Sequence, residues 1–352
     1  MAVPVTGPDG ARAAELDVVD VVEETREARS LVLRVPPELS AAFGYRPGQF
    51  LTLRIPSERT GSVARSYSLA SDPGADPHLK VTVKRTAGGY GSNWLCDNVR
   101  IGDRVTVLPP AGAFALRRLD ADLLLFAAGS GITPVISILK AALREGSRQV
   151  VLCYANRDRA SVIFDPELSA LQERYAGRLT VHHWLDEEQR HPDADRVAAV
   201  ARPWPAADAY LCGPAPFMST VAEGLRAAGL AREQVHREVF ASLSGDPFGV
   251  PAPTEAPAAG AAGSTRGVVH LDGATHEVAW PAEQTLVDVL LARGIDVPYS
   301  CRSGECGSCA ARLVDGEVAM ASGTALDQED IDDGYLLGCQ ARPVSAVVEI
   351  AF

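Results

Sequence analysis

The spacing of four cysteines constrains this chain more than any other feature. Cys301, Cys306 and Cys309 stand as C-x4-C-x2-C in PYSCRSGECGSCAARL, and Cys339 follows thirty residues later in LLGCQAR. Four thiolates drawn from one loop and one distant segment can ligate two irons, and this is the spacing of a [2Fe–2S] site. Ser303, Gly304, Gly307 and Ser308 are small, so the loop can turn through left-handed backbone and aim N–H groups at sulfide. The alternatives are a four-cysteine zinc site, which prefers paired C-x2-C knuckles, or plain buried thiols. Cys96 and Cys153 lie in apolar runs and read as core residues.

The total of seven cysteines is odd, and the first residues, MAVPVTGPDGARAAELD, carry no basic or apolar export signal. The expectation is a cytoplasmic protein that uses cysteine for metal rather than for disulfides. Acidic residues number 45 against 33 basic, a formal charge of −12, which argues against nucleic acid or an anionic membrane surface as partner. The most apolar stretch, Leu123 to Leu139, is broken by Gly129, Ser130, Gly131, Thr133 and Pro134, so no membrane span is expected.

A length of 352 residues suits two or three domains. VPAPTEAPAAGAAGSTRG, from Val250 to Gly267, has nothing to bury and reads as a solvated tether. Before about residue 118, short apolar runs such as Phe50–Ile55, Leu79–Lys84 and Arg104–Leu108 alternate with Gly/Pro turns, which predicts an antiparallel β-barrel or sandwich. Strands and helices then alternate from Leu123 to Ala228, which predicts βαβ units on a parallel sheet. The expected division is a barrel over 14–118, an α/β domain over 119–245, a linker over 246–267 and a small α+β domain over 268–352. In that last block Val268–Leu271 and Thr275–Trp280 read as a hairpin, Thr285–Ala292 as a helix and Ala346–Ala351 as a final strand.

Three loops carry further chemistry. Gly129-Ser-Gly131-Ile-Thr133-Pro134 joins an apolar strand to an amphipathic helix, where glycines admit a pyrophosphate and the helix N-terminus offers free N–H groups. Thr133 is expected to cap that helix and Pro134 to take its first position. Cys212-Gly213-Pro214 closes the last parallel strand at its carboxyl end, where ligands of open α/β sheets sit. Arg65-Ser66-Tyr67-Ser68 ends a barrel strand, and Gly88-Gly89-Tyr90-Gly91-Ser92 leads into a short helix.

RxYS, GGxxS, GSGITP and CGP, in this order, resemble the ferredoxin–NADP⁺ reductase superfamily, and PGQF at Pro47–Phe50 fits it. The C-terminal block resembles plant-type ferredoxins of β-grasp fold over its whole length. Together they resemble the fused reductase components of bacterial oxygenases. YRPGQFLTLRIPSERTGSVARSYSL, YANRDRASVIF and EVFASLSGDPF are most similar to the reductases that serve 3-ketosteroid 9α-hydroxylases.

The resemblance implies a multidomain chain with an FAD-binding barrel, an NAD(P)-binding domain and a [2Fe–2S] ferredoxin domain ligated by Cys301, Cys306, Cys309 and Cys339. It implies that Arg65 and Ser92, with the Gly89–Tyr90–Gly91 backbone, bind the FAD pyrophosphate, and that Ser66 is also among the cofactor-binding residues. Tyr67 contacts the ribityl chain or ring, Ser68 sits near the hydride-accepting N5, and Val83 and Lys84 border the adenine. Gly129, Gly131, Thr133, Pro134, Cys212, Gly213 and Pro214 bind nucleotide, with Thr133 and Cys212 lining the nicotinamide pocket. Glu238 and Phe240 correspond to the acidic and aromatic pair that closes over the flavin, although more sequence follows Phe240 here. Arg157, after the second parallel strand, stands where a 2′-phosphate can sit, with Asp158 beside it. The resemblance implies NADH rather than NADPH.

A flavin holds two electrons and releases them singly, so the expected order is NADH, FAD, [2Fe–2S] and a terminal oxygenase as protein acceptor. The tether leaves the ferredoxin block free to swing between flavin and acceptor. Other readings are a reductase for a different oxygenase, such as phenylacetyl-CoA epoxidase, a stand-alone diaphorase or redox sensor, and a zinc-stabilised interaction protein.

Overall fold

The computed structural model describes residues 13–188, 192–243, 247–248, 265–271, 273–295, 297–321, 323–326 and 328–352. Contacts divide the chain into two compact units, one built from Ala14–Pro110 and Phe114–Phe240, the other containing Ala241–Phe352.

The first unit starts with β1 (Ala14–Thr25) and β2 (Ala28–Arg34), then β3 (Phe50–Ser57), β4 (Gly61–Ser68), β5 (Leu79–Lys84), α1 (Tyr90–Asn98) and β6 (Arg104–Val107). Their sheet runs β4-β3-β6-β1-β2-β5, and an antiparallel bridge between Leu69 and Val81 brings its two edges together. Alternation decides the core. Leu16 and Val18 of β1, Leu31 and Leu33 of β2, Leu51, Leu53 and Ile55 of β3 and Val81 of β5 all point inward and are buried. The sequence pattern identifies β3, β5 and β6. It misses the β1–β2 hairpin, whose outward residues are partly buried and blur the alternation.

The same unit continues with β7 (Leu123–Ala128), α2 (Ile132–Glu145), β8 (Val150–Asn156), α3 (Asp165–Arg174), β9 (Leu179–Leu185), α4 (Ala194–Ala201), β10 (Asp208–Cys212), α5 (Ala215–Ala227) and β11 (Val235–Glu238). The strands are parallel in the order β11-β10-β7-β8-β9. β7 shows why its sequence is continuously apolar. Leu123, Leu125 and Ala127 pack with α2 and α3, while Leu124 and Phe126 pack with α4 and α5. The expectation about the start of α2 is corrected. A 3₁₀ turn over Gly129–Gly131 leads directly into Ile132, so Pro134 is the third helical residue rather than the first. Thr133 caps no N–H; its Oγ1 donates to Ser130 O at 3.1 Å.

Charged groups fasten barrel to α/β region inside this unit. Arg144 of α2 donates twice to Asp72, Nε–Oδ2 at 2.8 Å and Nη2–Oδ1 at 2.9 Å. Lys140 reaches Asp76 at 2.9 Å and Glu167 at 3.0 Å, and Lys80 of β5 reaches Glu167 at 3.0 Å. Ser137 Oγ donates to Ser71 O at 2.6 Å. Asp72 is 2% exposed. Its burial pushes the carboxyl's pKa up, but the hydrogen bonds from Arg144 and Gly74 outweigh that and hold it below the ordinary value.

The second unit contains β12 (Thr265–Leu271), β13 (Ala274–Trp280), α6 (Leu286–Ala292), β14 (Ala310–Asp315), β15 (Val318–Met320), α7 (Gln328–Asp332), β16 (Tyr335–Leu337), β17 (Ala341–Pro343) and β18 (Val347–Ala351). Its main sheet is ordered β13-β12-β18-β14-β16, with β12 and β18 parallel. Trp280, Leu286, Leu290, Val269 and Ile350 form its core, and Thr285 caps α6 by accepting from Asp288 N. β12 takes in Thr265, Arg266 and Gly267, which composition alone assigns to the tether. They pair with β13 and, from Arg266, with β18. Of the rest of the expected linker only Pro247 and Phe248 are described, and Phe248 is buried, which corrects the reading of that end as solvated. Among the described residues no helix is long and apolar enough to cross a membrane.

Removing the buried carboxyl should cost far more than removing an exposed one. Asp72→Ala is expected to destabilise the first unit by about 2 kcal/mol, a Tm loss of roughly 5 °C in calorimetry of the full chain. Glu277→Ala, which breaks the exposed pair with Arg266, should leave the Tm unchanged within the error of the same measurement.

Candidate functional site

The four cysteines of the C-x4-C-x2-C…C pattern meet in the second unit. Cys301, Cys309 and Cys339 are buried and Cys306 is partly so. Cys301 N donates to Cys306 Sγ at 3.5 Å, and Cys339 N donates to Cys309 Sγ at 3.4 Å. Ser303 N and Glu305 N both donate to Cys301 Sγ at 3.4 Å. The loop achieves this with left-handed backbone at Arg302, Gly304 and Gly307. At Gly304 a side chain would also crowd Gln340 at 3.0 Å. Gln340 Nε2 ties the two ligand segments together, donating to Arg302 O at 3.0 Å and Cys339 Sγ at 3.4 Å.

Hydrogen bonds from Cys306 and Cys339 hold the Cys301 thiol's pKa below the ordinary value, and one from Cys339 does the same for Cys309. Cys339 thus contacts both Cys301 and Cys309, and the four sulfurs form one continuous cluster. Among the described residues no three His, Cys, Asp or Glu side chains gather as the ligands of a single ion. Four neighbouring thiols that receive N–H donors from both segments fit a two-iron cluster.

The barrel end of the first unit brings β4 against the start of α1. A Cβ on Gly91 would sit 3.0 Å from Arg65 Cγ, so the arginine lies over the backbone of that helix start. No side chain caps α1 at Gly89, leaving first-turn N–H groups for an anion beside the guanidinium. Ser92 Oγ accepts from Thr86 N at 3.0 Å, Tyr90 Oη donates to Pro56 O at 2.7 Å, and Ser66 Oγ lies 3.0 Å from Thr52 Oγ1. Burial raises the Tyr67 phenol's pKa. A cation, free N–H groups and a desolvated aromatic fit a flavin dinucleotide. Val83 does not belong to this group: it is 1% exposed and packs into the barrel core, so only its neighbour Lys84 is available to a ligand. Ser68 is also buried.

At the carboxyl edge of the parallel sheet the ends of β7 and β10 touch. A Cβ on Gly131 would collide with the carbonyl of Cys212, so only glycine allows this approach. Tyr154 Oη donates to Gly129 O at 2.9 Å and fixes the turn from below. Thr133 and Cys212 are both buried, while Pro214 caps α5 with its backbone. Cys212 pairs in register with Glu238 across β10–β11. Burial pushes the Glu238 carboxyl up to about 8 and raises the Cys212 thiol's pKa. Phe240 is half-exposed just beyond β11. Arg157 is exposed and ion-paired to Glu27 of the barrel at 2.8 Å. Sequence reasoning finds Arg157 but not Glu27, because no spacing signal links residues 130 positions apart.

Comparison with known proteins agrees with this geometry. Residues 15–116 match the oxidoreductase FAD-binding domain family, 125–223 the oxidoreductase NAD-binding domain family and 269–344 the 2Fe-2S iron-sulfur cluster binding domain family. The chain is 59% identical over 345 residues, 98% of each chain, to the ferredoxin reductase component of 3-ketosteroid-9-alpha-monooxygenase of Rhodococcus rhodochrous. It is 51% identical to the counterpart in Mycobacterium tuberculosis, covering 98% of this chain and 97% of that one. A component of the 1,2-phenylacetyl-CoA epoxidase of Escherichia coli is 30% identical over 96% of this chain and 97% of its own. Among solved structures, phthalate dioxygenase reductase superposes with a TM-score of 0.58 at 28% identity, over 97% of this chain and 98% of that one.

Glu238 gives a pH test. Its folded pKa is about 8, above the ordinary 4.5, so the folded state binds the extra proton and gains stability from it. That contribution is complete below about 4.5 and is lost as pH rises through about 8. Burial holds His236 down to about 4, so its opposing contribution is complete above about pH 6.5; denaturant titrations between pH 7 and 9 should show stability falling with pH, and Glu238→Gln should flatten that fall.

Proposed function

This chain belongs to the family of oxygenase reductases represented by the ferredoxin reductase components of 3-ketosteroid-9-alpha-monooxygenase, and from that premise we propose that it passes electrons from NADH to the terminal oxygenase of a 3-ketosteroid 9α-hydroxylating system. The observation that carries this reading is full-length identity of 59% to a reductase so named, against 30% to the epoxidase component. When bound, FAD takes two electrons as hydride and the [2Fe–2S] cluster carries them onward one at a time.

The chain's own residues supply binding, orientation and shielding. Arg65 with the Gly89–Gly91 backbone and Ser92 holds the FAD pyrophosphate, Tyr67 and Ser68 lie toward its ring, and Lys84 lies toward its adenine half. Gly129, Gly131 and Thr133, with Cys212-Gly213-Pro214, admit the dinucleotide at the sheet edge. Glu238, protonated at neutral pH by its burial, keeps an uncharged carboxyl beside Cys212. Phe240 covers the exposed side. Cys301, Cys306, Cys309 and Cys339 hold the cluster, and Ser303, Glu305 and Gln340 orient hydrogen bonds on their sulfurs. The division into flavin domain, nucleotide domain, tether and ferredoxin domain follows 14–118, 119–245 and 246–264, with the last domain opening at Thr265. The site of action is the cytoplasm.

The test is reconstitution of purified chain with the terminal oxygenase and a 3-ketosteroid. NADH-driven 9α-hydroxylation is expected, and Cys339→Ser should abolish it while keeping NADH-dependent ferricyanide reduction within about threefold, since flavin and cluster are separate stations. Turnover of an acyl-CoA epoxidase but not of the steroid oxygenase would overturn the reading.

A further inference from the structure

Charged side chains from the barrel and the α/β region meet at the carboxyl end of β8. Arg157 follows that strand directly, where a dinucleotide's adenosine ribose sits and where an arginine can accommodate a 2′-phosphate. Its Nη2 is 2.8 Å from Oε2 of Glu27, which stands in the β1–β2 turn of the barrel. The backbone fixes Glu27 there: its N–H donates to Thr25 Oγ1 at 3.2 Å and its carbonyl accepts from Arg85 N at 2.8 Å.

The neighbouring charges are also matched. Lys84, whose Nζ would lie 3.4 Å from a Cβ on Gly129 of the phosphate-binding turn, lies within the field of Glu27, Arg157 and Asp158. Asp158 is committed to its own turn, accepting from Ser161 N at 2.8 Å. Arg159 pairs with Asp165 at 2.9 Å. Arg157 and Arg159 are thus each ion-paired, to Glu27 and Asp165, and Glu187 also accepts from Arg159 N at 3.2 Å.

We propose that Glu27 is the residue that sets nucleotide specificity: held against Arg157, its carboxylate occupies the guanidinium that the 2′-phosphate of NADPH would need, and so selects NADH. The inference rests on the NADH reading above and supplies its structural cause. An ion pair this exposed contributes little to folding. Its consequence falls on the ligand instead. A phosphate monoester carries nearly two negative charges at neutral pH, and it must either displace the carboxylate or stand beside it. The ribose of NADH brings no charge to that point and meets no such repulsion. Glu27 belongs to the barrel while Arg157 belongs to the α/β region, so the discrimination needs both regions in place.

The test uses the full FAD-loaded chain and its isosteric variant Glu27→Gln, which keeps the backbone bonds of the turn. Calorimetric titration with 5′-AMP and 2′,5′-ADP reads binding of the adenosine half alone, and kcat/KM for NADH and NADPH reads turnover with ferricyanide. Wild type is expected to favour NADH. Glu27→Gln should tighten 2′,5′-ADP relative to 5′-AMP by about tenfold and raise the NADPH/NADH ratio of kcat/KM by about tenfold, chiefly through a lower KM for NADPH. The gain should vanish in Glu27→Gln/Arg157→Gln. An NADH-preferring wild type whose ratios do not move in Glu27→Gln overturns the role of Glu27 and leaves the NADH reading standing. A gain that survives in the double variant overturns the route through Arg157. A wild type that prefers NADPH overturns the NADH reading itself, and the inference with it.

Discussion

The seam between barrel and parallel sheet is the constraint on which the first unit depends. A hydride donor and a flavin held by different domains react only if those domains keep one fixed geometry, because transfer requires reacting atoms about 3–3.5 Å apart. Here the geometry is fixed by Arg144 forked onto Asp72 and by Lys140 and Lys80 converging on Glu167. Such a seam is directional as well as attractive. The fork fixes angle, while Ser137 on the Ser71 carbonyl fixes the approach of α2. The carboxyl edge of the sheet, with Gly131 against Cys212, and the barrel strand carrying Arg65 and Tyr67 are thereby built into one body.

The second unit solves a different problem. A ligand loop must be stiff enough to hold four sulfurs yet carry its N–H groups inward. Left-handed backbone at Arg302 and Gly304 accompanies the Ser303 and Glu305 N–H groups turned toward Cys301, and Gln340, beside Cys339, donates to Arg302 O of the loop. Hydrogen bonds to thiolate sulfur are among the determinants of cluster potential. A cluster held by these sulfurs would have its potential tuned by the same hydrogen bonds that brace the loop. With FAD-, NAD- and [2Fe–2S]-binding domains in one chain, the protein is a reductase that feeds an oxygenase through its cluster.

Local chemistry is legible in the sequence and long-range pairing is not. The cysteine spacing, GSGITP and RSYS each lie within a few residues, so turn preference and side-chain type announce them. β7 reads clearly because both its faces are buried. Val83 shows the opposite case. Resemblance places it beside Lys84 at a ligand border, yet strand alternation sends the two side chains to opposite faces and Val83 into the core. The start of α2 escapes a local reading because Thr and Pro mark helix N-termini in general, whereas here a 3₁₀ turn through Gly129–Gly131 takes the entry. Glu27, Asp72 and Gln340 acquire meaning only when the fold brings them to Arg157, Arg144 and Arg302, and no local pattern encodes those meetings.

The central claim is that reducing equivalents entering at the nucleotide edge leave through the cluster of the same chain. The most direct test is an anaerobic titration of the iron-replete, FAD-loaded protein with NADH, followed by absorbance and low-temperature EPR. Bleaching of the flavin bands and a rhombic signal from a reduced [2Fe–2S] centre are expected, complete at about 1.5 equivalents of NADH for three electrons. Flavin bleaching with no cluster signal, complete at about one equivalent, would contradict the claim.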